Sequence, residues 1–240
     1  MKALRVADSF LVAEGKVRGI DLHRERFTAS CTTLGVAAGE FWDESLTRLP
    51  LTGRWFPRFE LTDELALQIR PAPPTGGRIR VGVHDGPDPR TNPRVKGPDL
   101  AVLGALKARA ASAYGADEVL LTSRDGVVLE AAYSGVLWWE GDVLCVPPGD
   151  RPILPSVTVK LLRQIAASRG VQVVERARTA VELAGLEVWL VSALHGIRPV
   201  EAWVASPTGL TALAWSFPGR AEEWQRTPID LARPLPGDFL

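Results

Sequence analysis

The fold is decided by residues 94–158, which begin RVKGPDLAVLGALKARAASAYGADEVLL, continue TSRDGVVLEAAYSGVLWWEGDVLCVPP and close on ILPSVT. Lys96 stands just ahead of a run whose apolar residues recur at helical spacing. Two strand pairs follow, with turns at Arg124-Asp125-Gly126 and Glu140-Gly141-Asp142. Ser156 then opens a further helix. The stretch therefore predicts a helix, four strands and a second helix, in that order.

Three features of this stretch carry chemistry: Lys96, Glu130 and the helix start Ser156-Val157-Thr158. A lysine amine can form a Schiff base, a carboxylate can pair with a ring nitrogen, and helix-end N–H groups hold phosphate. Each feature also has an ordinary interpretation: a surface lysine, an outward-facing strand glutamate and a serine-capped helix. Together they are the three parts that a pyridoxal phosphate site needs.

In that order and spacing, the stretch resembles the fold-type IV pyridoxal phosphate enzymes, which include the class IV aminotransferases and 4-amino-4-deoxychorismate lyase. The resemblance runs from about Asp8 to Trp203. It implies that Lys96 is the Schiff-base lysine and that Glu130 keeps the pyridinium nitrogen protonated. It also implies that Val157 and Thr158 bind the cofactor phosphate.

The segment DLHRERFTASCTTLG, residues 21–35, predicts a helix that Asp21 can cap and that ends at Gly35. By pattern alone, its charged residues Arg24, Glu25 and Arg26 read as a solvated face. The family carries a His-x-x-Arg-hydrophobic block here, so the resemblance implies that Arg26 binds the cofactor phosphate. His23 is more typical of a packing or capping histidine than of a catalytic one.

The block VSALHGIRPV, residues 191–200, resembles the lyase branch, which reads Cys-Asn-Ser-Leu-Met-Gly-Ile-x-Pro-Val. The transaminase branches tend towards Gly-Thr-Ala or Ser-Thr-Thr followed by Glu-Val-x-Pro, so this block favours the lyase. It implies phosphate or substrate contacts from Ser192 and the Ala193 N–H. His195 is either a residue of the site or a packed loop histidine.

Four positions depart from the family pattern. Asp99 replaces an asparagine of the lyase and D-amino-acid branches, and it either contacts the cofactor region or caps the helix. Gly135 stands where asparagine is usual, and Val146 begins a Val-Pro in place of Thr-Pro. Residues 6–10, VADSF, match only part of the family's first block. These departures leave three functions open: the lyase, a class IV aminotransferase, and a non-catalytic interaction module.

Composition and charge bear on the partners and the cellular compartment of the protein. The chain has 240 residues, with 28 basic and 28 acidic side chains, so no charge excess favours a nucleic acid or an anionic membrane. No apolar run is long enough to span a bilayer. Cys31 and Cys145 offer neither a disulfide framework nor a metal spacing. The N-terminal stretch alternates like a strand and lacks a signal-peptide core. We expect a cytoplasmic enzyme with a small-molecule amine substrate and no metal.

The fold prediction is α+β in two domains, the architecture that the resemblance implies. Residues 1–84 form a small N-terminal domain and residues 96–240 a larger cofactor-binding domain with a strand barrel. Between them, residues 85–95 form a Pro- and Gly-rich interdomain loop. The family resemblance further implies a homodimer. The tail after Trp203 carries no chemistry that the sequence reveals.

Overall fold

The computed structural model describes residues 2–204 and 220–236. Its helices are α1 (Ile20–Thr32), α2 (Gly39–Thr47), α3 (Leu100–Tyr114), α4 (Val157–Ser168), α5 (Ala180–Leu183) and α6 (Arg220–Asp230). Its strands are β1 (Val6–Ser9), β2 (Val12–Ala13), β3 (Lys16–Val17), β4 (Arg54–Trp55), β5 (Arg58–Leu61), β6 (Leu65–Gln68), β7 (Ile79–Pro87), β8 (Glu118–Thr122), β9 (Val128–Ala131), β10 (Gly135–Glu140), β11 (Val143–Val146), β12 (Val173–Glu175), β13 (Glu187–Ser192), β14 (Gly196–Trp203) and β15 (Arg233–Pro234).

The N-terminal part is built on a three-stranded antiparallel sheet in the order β1-β5-β6. Helix α1 turns a stripe at four-residue spacing towards it, with Phe27 and Cys31 buried. The centre of this core is aromatic: the rings of Trp42 and Phe59 stack with centroids 4.1 Å apart, and Phe10 packs beside them. This core fixes α1, and therefore its polar face, against β1.

The larger part is a curled half-barrel sheet of eight strands in the order β12-β11-β10-β13-β14-β7-β8-β9. Its two predicted hairpins, β8-β9 and β10-β11, are present. Its concave side holds an apolar cluster that includes Leu120, Trp138 and Leu190, while α3 and α4 pack outside. The predicted α+β class with a strand barrel is confirmed.

The boundary predicted at residue 84 falls inside β7. This strand pairs in parallel with β14 on one side and β8 on the other, so it is part of the eight-stranded sheet. The Pro- and Gly-rich composition of residues 85–95 hid the end of this strand. The division into two domains itself stays a prediction.

Two local expectations need correction. The residue at the N-terminus of α1 is Gly19 in the left-handed conformation, and Asp21 lies in the first helical turn, where it pairs with Arg233. No element is predicted in the tail, whereas its described residues 220–236 contain helix α6 and strand β15. Helix α6 packs Trp224 into the outer core of the half-barrel, and Leu235 joins the N-terminal core.

Candidate cofactor site

Lys96 sits where the two parts of the molecule touch. Its backbone carbonyl accepts a hydrogen bond of 2.6 Å from the Ala7 N–H of β1. The next residue, Gly97, has φ 136° and lies so close to Val6 that a Cβ would come within 2.9 Å of its backbone. Burial and then the charge of Arg26 lower the pKa of the Lys96 amine to about 8. A nucleophilic fraction of this amine is therefore present near neutral pH.

Glu130 lies on β9, buried, with one oxygen in use. Its Oε1 accepts 2.6 Å from Arg90 Nη1 and 2.7 Å from the Leu154 N–H. Its Oε2 accepts no hydrogen bond from the residues that the structure describes. Burial raises the pKa of Glu130, and the charge of Arg90 acts against that rise. Oε2 is thus a buried carboxylate oxygen available to a ligand.

Arg90 was missed by sequence reasoning. Its guanidinium binds Asp88 in a fork, Nη2 to Oδ2 at 2.7 Å and Nε to Oδ1 at 3.0 Å, while Nη1 reaches Glu130. It therefore anchors the loop before Lys96 to the strand that carries Glu130. The signal available in the sequence was an Asp-Pro-Arg in the loop just ahead of the lysine.

The start of α4 supplies phosphate donors. The Ser156 side chain accepts from the Val159 N–H, and the N–H groups of Val157 and Thr158 belong to the first turn, which has no partners within the helix. Arg26 Nη1 donates to the Pro155 carbonyl at 3.2 Å, so its guanidinium lies against this turn. The helix dipole and Arg26 both favour an anion here.

A buried aspartate holds Arg26 in place. Asp8 accepts from Arg26 Nε at 2.8 Å and Nη2 at 2.9 Å, and from His23 Nδ1 at 2.7 Å. Burial alone would raise the pKa of Asp8, but Arg26 and His23 hold it well below its usual range. Burial lowers the pKa of His23 in spite of Asp8. Sequence reasoning passed over Asp8, although a charged residue in an apolar strand was a signal.

The β13–β14 loop borders the same cavity. Ser192 Oγ accepts from the His195 N–H at 3.3 Å, and the Ala193 carbonyl accepts from Arg18 Nη2 at 3.0 Å. Ser192, Ala193 and His195 all line the cavity. Arg18 thus fixes the loop that contains Ala193. The contact of the Ala193 N–H with a phosphate stays a prediction.

Asp99 stands at the start of α3 and lines the cavity, so its contact with the cofactor region stays a prediction. Its side chain makes no capping bond to α3. Instead its Oδ1 accepts from the Thr91 N–H and hydroxyl, and its Oδ2 accepts 2.8 Å from the Asn92 N–H. Asp99 thus closes the loop that carries Lys96. Gly135 lies against α4, where a Cβ would come within 2.8 Å of Val159.

The predicted site residues Arg26, Lys96, Glu130, Val157, Thr158, Ser192 and Ala193 line one cavity of about 670 Å³. Its groups fit pyridoxal phosphate: an amine of lowered pKa, a buried carboxylate oxygen without a partner, and phosphate donors at a helix start. Among residues 2–204 and 220–236, no cluster of metal-ligating side chains occurs, and no helix is long and apolar enough to cross a membrane.

Comparison with known proteins agrees with this geometry. Residues 88–203 match the family described as Amino-transferase class IV. No curated protein matches the chain. Among solved structures, a "Putative 4-amino-4-deoxychorismate lyase" from Legionella pneumophila has a TM-score of 0.79 at 17% identity, covering 94% of this chain and 90% of that one.

Two further structures are similar. A "hypothetical aminotransferase" from Mycobacterium tuberculosis, in a PLP-bound form, has a TM-score of 0.74 at 21% identity, over 95% of this chain and 88% of that one. A branched-chain aminotransferase from Thermoproteus uzoniensis, with norvaline, has a TM-score of 0.75 at 17% identity, over 95% and 89%. At these identities, the likeness establishes a shared fold.

Proposed function

We propose that the chain is a pyridoxal phosphate enzyme of the class IV aminotransferase family, and specifically 4-amino-4-deoxychorismate lyase, because residues 88–203 match that family and the fold is shared with its members over most of the chain. Its reaction yields 4-aminobenzoate and pyruvate, a step towards folate. The observation that carries the proposal is that Lys96, Glu130 and the start of α4 line one cavity. The family match supports an enzyme that depends on pyridoxal phosphate. The lyase reaction is a more specific proposal within that class.

Each group has a role that its surroundings favour. Lys96 Nζ would hold the cofactor covalently, and its lowered pKa suits it to attack a carbonyl and to take up a proton. Arg26 and the N–H groups of Val157 and Thr158 hold the phosphate. Glu130 Oε2 holds the proton on the ring nitrogen. When bound, pyridoxal phosphate supplies an electron sink for the substrate carbon that bears the amine.

The lyase step balances without a second substrate. The incoming substrate amine would displace Lys96 from the cofactor. The freed Lys96 amine would then take the proton from the substrate ring carbon that bears nitrogen, and the carbon–oxygen bond to the enolpyruvyl group would break. The ring becomes aromatic, and the released enolpyruvate takes up a proton as pyruvate. No oxidant and no keto acid enter this step. A transaminase, in contrast, needs a keto acid to complete its cycle.

The lyase is favoured over the transaminase by the block SALHGIRPV and by the Lys-x-x-Asp spacing at Lys96. The likeness to the Legionella pneumophila structure supports the same choice. The second candidate, a class IV aminotransferase, is supported by the family match and by the likeness to the Thermoproteus uzoniensis enzyme. Both candidates use the same cofactor residues.

The deciding assay supplies aminodeoxychorismate without any keto acid and follows the fluorescence of 4-aminobenzoate. We expect turnover by the wild type and none by Lys96→Ala. Borohydride should fix the cofactor to Lys96 in the wild type only. Turnover that requires an amino donor and 2-oxoglutarate or pyruvate would replace the lyase by the transaminase. A colourless protein that takes up no added cofactor would favour the non-catalytic module.

We further propose that the enzyme is a cytoplasmic homodimer, as the family resemblance implies. The two cysteines are free and buried, which is compatible with a reducing compartment. Sedimentation of the purified protein tests the dimer directly. A monomer at micromolar concentration would contradict it.

A further inference from the structure

A second polar cluster lines the cavity and has no part in holding the cofactor. It consists of Lys107 on α3, Glu118 on β8, Ser134 between β9 and β10, His195 in the β13–β14 loop, and Arg198 on β14. We call these five residues the Arg198 cluster. Arg198 is the family's variable position in the block Gly-Ile-x-Pro-Val, and here it places a guanidinium at the cavity wall.

The Arg198 cluster has donors without acceptors. Arg198 Nη2 lies 3.4 Å from Ser134 Oγ and 3.9 Å from Glu118 Oε2, and the latter distance is too long for a hydrogen bond. Within the described residues, Arg198 Nε and His195 Nδ1 are buried and have no hydrogen-bond partner. Buried donors of this kind are costly unless a ligand or water satisfies them.

The charges of the cluster favour an anion. Lys107 Nζ lies 5.4 Å from the Tyr133 ring centroid, and no carboxylate of the described residues lies within 4 Å of it. Within the cluster, the two cations Lys107 and Arg198 stand against one carboxylate, Glu118, and Asp117 outside the cluster also acts on Arg198. Glu118 already accepts from Ser134 and from the Val119 N–H, and burial raises its pKa. The cluster carries a net positive charge even when Glu118 is ionised.

The positive charges of the cluster also affect the pKa of His195. Burial, followed by the charges of Arg198, Lys107 and Arg18, lowers the pKa of His195 to about 4. The imidazole is therefore neutral at physiological pH. A neutral imidazole can donate from Nδ1 when that nitrogen bears the proton. An anion between Arg198, Lys107 and His195 would receive donors from each of the three.

The position of the cluster limits where this anion sits on a substrate. Lys107 lies two turns into α3, about 10 Å along the helix axis from Leu100, and Lys96 precedes that helix. A carboxylate on the same carbon as the reacting amine would stay beside Lys96. A carboxylate several bonds away from the amine could reach the cluster.

We propose that the Arg198 cluster is the subsite for a substrate carboxylate remote from the reacting amine, held by Arg198, Lys107 and His195. This inference rests on the proposed function, since it assigns a substrate class to the same cavity. It predicts amines that carry a distant carboxylate, and it disfavours compact amino acids with an apolar side chain.

The test compares 4-aminobenzoate with 4-aminobenzamide, which has the same shape and no charge, by calorimetric binding to the cofactor-loaded protein. We expect the wild type to prefer the carboxylate. Lys107→Met should lower that preference by about tenfold, in line with loss of one charged hydrogen bond. Arg109→Met removes an exposed charge from the same helix and should leave the preference unchanged.

Arg198→Lys provides a second variant, because it keeps the charge beside Glu118 and should fold, yet it loses the Nε donor. We expect a weaker preference for 4-aminobenzoate and an unchanged affinity for 4-aminobenzamide. Equal binding of the two probes by the wild type, or an equal effect of Arg109→Met, would overturn the subsite. Failure of cofactor uptake would instead count against the proposed function, and the two probes can still be compared in that protein.

Discussion

Two buried carboxylates each pair with an arginine that lines the cavity. Asp8, on the N-terminal sheet, binds Arg26 through both oxygens and also accepts from His23. Glu130, on the half-barrel, binds Arg90 through one oxygen. The pKa of Asp8 is lowered, whereas that of Glu130 is raised by burial. Similar burial thus gives opposite results, because Asp8 accepts three side-chain hydrogen bonds whereas Glu130 accepts one from a side chain and one from a backbone N–H.

The difference in hydrogen bonding suits the two carboxylates to different roles. A carboxylate with both oxygens occupied stays ionised and has nothing left for a ligand, so Asp8 serves to position Arg26. Within the described residues, Glu130 has one oxygen without a hydrogen bond, and its arginine also binds Asp88. Its free oxygen can therefore accept a hydrogen bond from a protonated group of a ligand. Arg90 also binds Asp88, which weakens its hold on Glu130. Partner count, more than burial, distinguishes an anchor from a group suited to binding.

The largest effect should come from Glu130→Gln. The amide keeps the shape of the side chain but cannot keep a ring nitrogen protonated. We expect kcat to fall on the order of 10² to 10³, the usual loss when one electrostatic group at a reacting centre is removed. Cofactor absorption should persist. Steady-state turnover with aminodeoxychorismate measures the effect.

Glu140→Gln is the matched control. Glu140 lies on β10 of the same eight-stranded sheet and also pairs with an arginine, Arg178. It does not line the cavity. Its kcat should stay near the wild-type value. If both variants lose turnover alike, Glu130 is only a structural residue, and the comparison with Asp8 fails.

A smaller effect is expected from Asp8→Asn. Arg26 would lose its charged partner, and its guanidinium would no longer be fixed against the start of α4. We expect cofactor affinity to fall roughly tenfold to a hundredfold, the range seen when groups that orient a ligand-binding side chain are removed. Absorption titration of the cofactor-free protein measures this affinity.

The control for Asp8 is Asp43→Asn. Asp43, on α2, binds Arg24 in a fork, at 2.8 and 2.6 Å, and Arg24 lies on the exposed side of α1, the helix that carries Arg26. Exposed pairs contribute little, about 0 to 1 kcal/mol, so this variant should bind cofactor like the wild type. Equal loss in both variants would show that Asp8 does not act through Arg26.

The sequence predicted the local parts of this site well. Lys96, Glu130 and Thr158 stand in short blocks with turn, strand and helix-start signals, and the role of Arg26 was implied by the His-x-x-Arg-hydrophobic block of the family that the sequence resembles. The fold class and the family were accessible for the same reason. Whether these residues perform the predicted roles stays a prediction, which the variants above address.

The missed features are those made by contacts between distant residues. Arg90 meets Glu130 across 40 positions, and Asp8 meets Arg26 across 18. Composition gives no sign of such pairs. The parallel pairing of β7 with β14 is likewise long-range, which is why a boundary at residue 84 looked natural. Helix α6 was overlooked because its sequence, RAEEWQRTPID, contains a proline.

The smallest effect, and the sharpest test of the comparison, is the pH dependence of stability. Asp8 has a folded pKa below its ordinary 3.8, so its contribution is present above that pH and is lost as the pH falls. Glu130 has a folded pKa above its ordinary 4.5, so its contribution is present below 4.5 and is lost as the pH rises through the folded value. Urea unfolding of the cofactor-free protein at a series of pH values measures both effects. The free energy of unfolding of Asp8→Asn should fall less than that of the wild type as the pH is lowered. Glu130→Gln should be more stable than the wild type above pH 4.5. Changes of the same sign in both variants would mean that partner count does not set the two carboxylates apart.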